Sequence, residues 1–148
     1  MRVLVPAALM TAAACFGQPF GIWTMDSARS TFSVDVQPKS FTVRIEPHPR
    51  GEVFTTDRTE PDGRTTSAST ILYFDSVARE FQDFECSGTQ SSRRIGGQAV
   101  EILRQCGAGA WTRFVLRTSA KPRELVLEIT EHHANGRREE KRLTLEKE

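Results

Sequence analysis

Three cysteines are the most reactive side chains in this sequence of 148 residues. Cys86 and Cys106 close the two ends of the segment CSGTQSSRRIGGQAVEILRQC, and Cys15 lies near the start of the chain. Two thiols at such a spacing could form a disulfide, hold a metal ion or carry out redox chemistry. A redox pair usually occurs as Cys-x-x-Cys, and that motif is absent from the sequence. We therefore predict a structural disulfide between Cys86 and Cys106.

The histidines do not predict a metal site. His132 and His133 are adjacent, so on a strand their side chains point to opposite faces, and His48 lies in a proline-containing loop. A metal ion would need further ligands at a suitable spacing. We expect no metal ion and no other cofactor.

The carboxylates do not predict an active site either. Asp75, Asp83 and Glu85 cluster around one predicted loop, where we expect them to face solvent. Acid-base catalysis would require them in a pocket with shifted pKa values. The sequence also has no Gly-x-Ser-x-Gly motif and no phosphate-binding loop. We predict no catalytic residue and regard an enzyme as the weakest of three functional hypotheses.

The first residues, MRVLVPAALMTAAACFGQPFG, predict a secretory signal peptide over residues 1–17. The basic Arg2 precedes an apolar run from Val3 to Ala14, which is too short to span a membrane. Small residues then allow cleavage after Ala14 or after Gly17. We expect an exported chain, periplasmic or secreted.

Cys15 leaves a third alternative, because small residues also precede the lipid-carrying cysteine of bacterial lipoproteins. The protein would then be anchored in the envelope, and we expect membrane attachment only in that case. Either a cut after Gly17 or a lipid on Cys15 leaves Cys86 and Cys106 as a pair in one domain of residues 18–148.

Charge excludes one class of partner. The formal net charge is +1 and the charged residues are interspersed along the chain. A nucleic-acid-binding domain usually carries a basic face or stripe. We therefore expect no nucleic-acid partner.

Alternating polar and apolar residues predict an all-β fold. The segments SFTVRIE, ELVLEIT and RLTLE each place their apolar side chains on one side of a strand. Short turns join nine predicted strands, near residues 40–46, 51–60, 64–74, 79–84, 89–95, 98–105, 110–118, 124–132 and 137–146. A meander of this kind closes into an up-and-down barrel of about eight to ten strands, because closure removes exposed edges. A β-sandwich is the alternative, but it needs long crossovers that the sequence lacks.

The turns predict how the strands pair. A three-residue loop Ala134–Gly136, with Gly136 in the left-handed conformation, places Leu127 opposite Leu143 and keeps their apolar side chains on one face. The same argument places Leu116 opposite Leu127. In the proline loop EPHPRG it places Val43 opposite Phe54.

The cysteine segment becomes a hairpin under the same rule. A three-residue loop Ile95–Gly97 places Cys86 directly opposite Cys106. It also leaves Gln90 and Ser92 as polar residues on an otherwise apolar inner face. They would lie near a rim of the barrel that touches water, or they would line a ligand cavity.

Gly21-Ile22-Trp23 resembles the Gly-x-Trp motif that opens lipocalin-like (calycin-type) barrels. The resemblance implies that Trp23 plugs one end of the barrel, against an arginine such as Arg138 or Arg142. It also implies a tendency to bind apolar ligands. Over nearly the whole mature chain, PFGIWTMDSARSTF, KSFTVRIEP and RLTLEK also resemble a group of small exported bacterial proteins, a likeness that implies no activity.

The sequence leaves two functions open. The first is a non-enzymatic binding barrel that encloses a small apolar molecule. The second is a structural or protein-interaction role in the cell envelope, with the barrel filled by its own side chains. The sequence does not predict an oligomeric state beyond a monomer. If the barrel is hollow, the candidate cavity-lining residues are Phe41, Phe54, Phe74, Gln90, Ser92, Phe114 and Leu127.

Overall fold

The computed structural model describes residues 19–33 and 37–148. Within these residues the chain forms ten β-strands and no helix. The strands are β1 (Gly21–Phe32), β2 (Ser40–His48), β3 (Gly51–Thr59), β4 (Thr65–Leu72), β5 (Arg79–Gln82), β6 (Ser87–Ile95), β7 (Ala99–Gln105), β8 (Trp111–Thr118), β9 (Glu124–His132) and β10 (Arg138–Lys147).

All ten strands belong to one antiparallel sheet in the order β4-β3-β2-β1-β10-β9-β8-β7-β6-β5. The sheet curls into a half-barrel whose concave face holds the hydrophobic core. This confirms the predicted all-β up-and-down meander. The last strand pairs with the first, so the unpaired edges are β4 and β5.

Because β5 is short, side chains of β6 bridge the seam to β4 and to the segment that follows β4. Gln90 Nε2 on β6 donates a hydrogen bond to Thr70 Oγ1 on β4 at 2.8 Å. The backbone N–H of Phe74 donates to Ser92 Oγ at 3.0 Å. Polar groups therefore hold the two edges together where the ladder of backbone hydrogen bonds stops.

Several predicted pairings are confirmed. Leu127 lies opposite Leu143 across β9 and β10, and Leu116 lies opposite Leu127 across β8 and β9. Gly136 has a φ of 86°, the left-handed conformation that the three-residue turn requires. Alternation of apolar residues on both strands was enough to set this register.

Two predicted pairings are wrong by two residues. Phe54 lies opposite Ile45, not Val43, because the β2–β3 loop is a tight turn that pairs His48 with Gly51. The β6–β7 loop starts one residue later than predicted, at Gly96, so Ser92 lies opposite Ile102 and the register does not place Cys86 directly opposite Cys106, although a disulfide joins them. Shifts of two residues keep each side chain on its own face of the sheet.

The sequence did not predict β1 as a strand. Four residues, Ser27–Ser30, separate the pairs Asp26–Thr144 and Thr31–Arg142, whereas only Leu143 lies between the same pairs on β10. This bulge breaks the alternating pattern that identifies a strand. Arg29 at the bulge forms ion pairs with Asp26, Glu124 and Glu146 at 2.7 to 2.8 Å.

Candidate functional site

The interior of the half-barrel is packed at one end and hollow at the other. At the packed end, large apolar side chains are almost completely buried: Val43, Ile45, Phe54, Leu72, Ile102, Leu127 and Leu145. At the other end a cavity of about 350 Å³ opens between the strands. The sequence pattern could not separate a filled barrel from a hollow one, and the structure combines both.

One wall of the cavity is apolar. Six side chains form it: Phe32, Pro38, Phe41, Phe114, Ile129 and Leu143. They come from strands β1, β2, β8, β9 and β10 and the segment before β2, so the wall depends on the closure of β1 onto β10. The wall provides a surface for an apolar molecule.

Most of the remaining cavity lining is charged, and we call this part the charged wall. Its ionisable residues are Arg58, Asp83, Glu85, Arg104, Glu131, Glu139 and Lys141, and the same residues line a second cavity of about 510 Å³ next to the first. The second cavity extends to Trp111, His133 and the Cys86–Cys106 disulfide. The two cavities therefore form one continuous polar and apolar site.

Arg104 is the most buried cation of this site, with 8% of its surface exposed. Its Nε donates to Gln90 Oε1 at 2.9 Å, and its Nη1 lies 3.5 Å from Asp83 Oδ2. The guanidinium also lies 4.2 Å from the ring centre of Phe81 and 4.7 Å from that of Phe114. Burial lowers the pKa of Arg104 below its ordinary value, although an arginine stays protonated in proteins.

The β9–β10 hairpin supplies the other charges. Glu131 lies directly opposite Glu139. Lys141 Nζ lies 3.2 Å from Glu131 Oε1, and Arg137 Nη2 lies 3.0 Å from Glu139 Oε1. Hydrogen bonding with Glu131 is the largest cause that holds the pKa of Glu139 below its ordinary value. The hairpin therefore brings two carboxylates together beside the cavity.

A short loop between β5 and β6 forms part of the cavity mouth. Asp83 Oδ1 accepts hydrogen bonds from the backbone N–H groups of Glu85 and Cys86 at 2.8 and 2.7 Å. The disulfide joins Cys86 to Cys106, with their Cα atoms 4.8 Å apart. Phe84, at the tip of this loop, lines the cavity and is 84% exposed. The loop thus exposes the Phe84 ring to solvent, while hydrogen bonds to Asp83 and the disulfide hold its backbone.

The phenylalanines and Leu127 that the sequence named as cavity-lining candidates occupy three different places. Phe41 and Phe114 line the cavity. Phe54 and Leu127 lie in the packed end, where they are almost fully buried. Phe74 packs against the edge of the core, and the guanidinium of Arg94 lies 4.1 Å from its ring centre.

Gln90 and Ser92 both face the interior, as the alternation of β6 requires, and both are buried. Gln90 connects Arg104 with Thr70, while Ser92 accepts the hydrogen bond from Phe74. They border a groove along the seam, separate from the main cavity. Their polar groups thus form hydrogen bonds within the protein.

Trp23 lies at the packed end, 5% exposed, and its indole N–H donates to Pro19 O at 2.8 Å. Lys147 lies opposite Trp23, with its Nζ 5.7 Å from the ring centre. The prediction that an arginine packs against Trp23 is wrong. Arg142 lies on the outer face and pairs with Glu128, and Arg138 pairs with Glu140.

Asp83 also departs from the prediction for the carboxylates, because it lines the cavity and pairs with Arg104. Asp75 is exposed as expected, and the Arg79 guanidinium beside it lowers its pKa to about 2. The predicted signal peptide and Cys15 lie outside the described residues.

Sequence analysis missed the charged wall. The sequence named none of Arg104, Glu131, Glu139 and Lys141 as a candidate site residue. Yet Arg104 follows Ile102 by two residues on β7, and Lys141 precedes Leu143 by two residues on β10. The period of two places such residues on the inner face, so extending each alternating pattern to the strand ends would have found them.

Comparison with known proteins gives a fold. No family model matches the chain, and no curated protein matches it. Among solved structures, the chain is similar to the crystal structure of zebrafish ileal bile acid-binding protein complexed with cholic acid. The TM-score is 0.52 with 12% sequence identity over 87% of this chain and 98% of that chain. The protein therefore has a calycin-like fold.

Among the described residues, none forms a helix that is long and apolar enough to cross a membrane.

Proposed function

We propose that this protein binds a small, largely apolar molecule in the hollow end of its half-barrel. The apolar part of the ligand contacts Phe41 and Phe114, and a polar or acidic group faces Arg104 and Lys141. The role is binding and not catalysis. The protein acts outside the cytoplasm.

The observation behind this proposal is that one end of the interior is filled and the other is hollow. Side chains fill the packed end, whereas the other end keeps a cavity of about 350 Å³. Ligand pockets usually have volumes of about 300 to 1,000 Å³ and combine apolar walls with a few placed polar groups. A barrel that only had a structural role would gain stability from filling this space.

Two cations of the charged wall support a ligand with an acidic group, although each already contacts one carboxylate, Asp83 or Glu131. Arg104 and Lys141 line the cavity, and both are largely shielded from bulk solvent. An anionic group there would form charge-assisted hydrogen bonds in surroundings of low polarity. The similar solved structure is a bile acid-binding protein in complex with cholic acid, which supports ligands of this general kind.

Displacement of a fluorescent dye tests the proposal. Anilinonaphthalene sulfonate, an anionic apolar dye, is titrated into the purified protein and then displaced with cholate or a long-chain fatty acid. We expect saturable dye fluorescence at one site per chain and competitive displacement. Absence of saturable binding would refute the proposal and favour a structural role.

Matched variants locate the site. Arg104→Met and Lys141→Met should each weaken dye binding by about tenfold or more, since each removes one charge-assisted contact. Arg44→Met and Lys121→Met change residues of the same type at exposed positions and should leave binding unchanged. Equal effects of all four variants would show that the dye senses only overall charge.

The extracytoplasmic location is supported by the N-terminal sequence and by the Cys86–Cys106 disulfide, because disulfides persist in oxidising compartments. Mass spectrometry of the protein from fractionated bacterial cells tests it. A chain that starts at Gln18, or a lipid-modified Cys15, would support export. An intact Met1 in the cytoplasmic fraction would contradict it.

A further inference from the structure

We propose that Glu131, His133 and Glu139 form a binding site for one divalent transition-metal ion such as Zn²⁺. The site lies at the turn of the β9–β10 hairpin, beside the cavity. It does not depend on the ligand proposed above.

The hairpin brings the three side chains together. Glu131 and His133 are two residues apart and therefore share a face, and Glu139 lies opposite Glu131. His133 Nε2 lies 3.6 Å from Glu139 Oε2 and 4.0 Å from Glu131 Oε2. In a tetrahedral zinc site, bonds of about 2.0 to 2.2 Å separate the ligand atoms by roughly 3.3 to 3.6 Å. All three ligand atoms lie within 4.8 Å of one another, so shifts of about one ångström would complete this geometry.

The remaining carboxylate oxygens are already held. Lys141 Nζ contacts Glu131 Oε1 at 3.2 Å, and Arg137 Nη2 contacts Glu139 Oε1 at 3.0 Å. The second oxygen of each carboxylate is the one that faces His133. Outer contacts of this kind orient metal ligands in proteins. The two cations therefore fix the carboxylates in an arrangement suited to an ion between them and the imidazole.

His133 Nε2 gives an independent indication. The His133 side chain is 38% exposed, but Nε2 itself is buried and has no hydrogen-bond partner within the part of the chain that the structure describes. Buried polar atoms nearly always have a hydrogen-bond or metal partner. An imidazole nitrogen that faces two carboxylates and has no such partner therefore indicates a missing ligand. A metal ion between the three groups would supply it.

His132 provides the contrast within the same segment. Its ring is not part of the cluster of possible ligands and stacks on Trp111, with ring centres 5.4 Å apart. Its Nδ1 lies 3.0 Å from Gly109 O. The neighbouring histidine is thus engaged in local packing, and it serves as a control.

The donor set selects the type of ion. A neutral imidazole and two carboxylates together balance a charge of two, and imidazole favours Zn²⁺, Cu²⁺ or Ni²⁺ over Ca²⁺ and Mg²⁺. Three protein ligands leave a fourth position for water or another donor. Glu131 and Glu139 both line the cavity, so this position is reached from the cavity.

Zinc titration of protein prepared without a histidine tag tests the proposal. Competition with a chromophoric chelator gives the stoichiometry and the dissociation constant. We expect one Zn²⁺ per chain in the micromolar range or tighter, and weaker binding by at least about tenfold in His133→Ala and in Glu139→Gln. His132→Ala and Glu140→Gln, which alter the adjacent residue on each strand, should bind as the unaltered protein does.

Spectroscopy separates a metal site from a merely structural cluster. Co²⁺ in a four-coordinate site should give strong visible absorption, which His133→Ala should abolish. Thermal unfolding of the metal-free variants shows whether they fold, and Glu131→Gln replaces Glu139→Gln if the latter does not. The proposal is overturned if no stoichiometric binding occurs, if His133→Ala binds normally, or if His132→Ala loses binding to the same extent.

Discussion

Arg104 lies opposite Gln90 across β7 and β6, and its Nε donates a 2.9 Å hydrogen bond to the side-chain oxygen of Gln90. The amide nitrogen of Gln90 donates in turn to Thr70 on β4. One amide therefore positions the buried cation of the cavity and bridges the open seam of the sheet. The site and the closure of the fold depend on the same side chain.

Gln90→Ala should lower the free energy of unfolding by about 1 to 3 kcal/mol, because it leaves buried partners unsatisfied. Urea denaturation gives the value. Gln82→Ala, at an exposed position on β5, is the matched control and should change stability by less than about 0.5 kcal/mol. Equal effects of both substitutions would show that the bridge has no special role.

Reduction of the Cys86–Cys106 disulfide should lower stability by about 3 kcal/mol, because the bond closes a segment of 20 residues. The melting temperature with and without reductant measures the loss. A variant with both cysteines changed to serine should melt like the reduced protein and should not respond to reductant. Rapid reaction of a thiol probe with Cys86 or Cys106 in the native, unreduced protein would contradict the disulfide.

Sequence patterning predicted the fold best where both strands of a hairpin carry apolar residues. Leu127 and Leu143 have one register that buries both, so the β9–β10 pairing was predicted correctly. In β6 the inner positions are Gln90 and Ser92, so a shift of two residues changes little in the apolar pattern. The hydrophobic pattern therefore could not fix that register.

The site was less predictable than the fold. The side chain of Arg104 has the same sequence signal as a surface arginine, and its burial becomes favourable only through Gln90, Asp83 and the two aromatic rings in contact with it. Those partners come from segments far apart in the chain. The disulfide was predictable because two cysteines in a chain that is predicted to be exported have few alternatives.

Trp23→Ala should destabilise the protein by about 3 to 5 kcal/mol, because it leaves a large void at the packed end and removes the hydrogen bond to Pro19. Trp111→Ala removes the same side chain at a half-buried position near the cavity end and should cost less. Urea denaturation of both variants makes the comparison. A larger loss for Trp111→Ala would contradict a packed end organised around Trp23.

Glu52 predicts how stability depends on pH. The residue is 4% exposed, and burial raises the pKa of its carboxyl, an effect that Arg94 Nη2 at 3.5 Å only partly offsets. The folded state therefore binds this proton more tightly than the unfolded state does. The resulting stabilisation is present below the unfolded pKa of about 4.3 and is lost as pH rises through the folded pKa.

Glu52→Gln should consequently raise the free energy of unfolding at pH 7 and have little benefit at pH 4. Urea midpoints at the two pH values measure the difference. Glu46→Gln, on the exposed face of β2, is the control and should show no such dependence on pH. A Glu52→Gln variant that is less stable at pH 7 would show that the contact with Arg94 outweighs the cost of burial.

Phe84 should affect ligand exchange and not stability. Its ring is exposed at the cavity mouth, while the backbone of its loop is held by Asp83 and by the disulfide. Phe84→Ser therefore removes apolar surface that an entering ligand would contact, without opening the core. We expect an unchanged melting temperature and dye dissociation that is faster by about three- to tenfold, measured by stopped-flow fluorescence.

Val77→Ser removes an exposed apolar side chain that does not line this cavity, and it should leave both quantities unchanged. If Phe84→Ser melts at a lower temperature, the ring supports the loop; if dissociation is unaltered, ligands enter by another route.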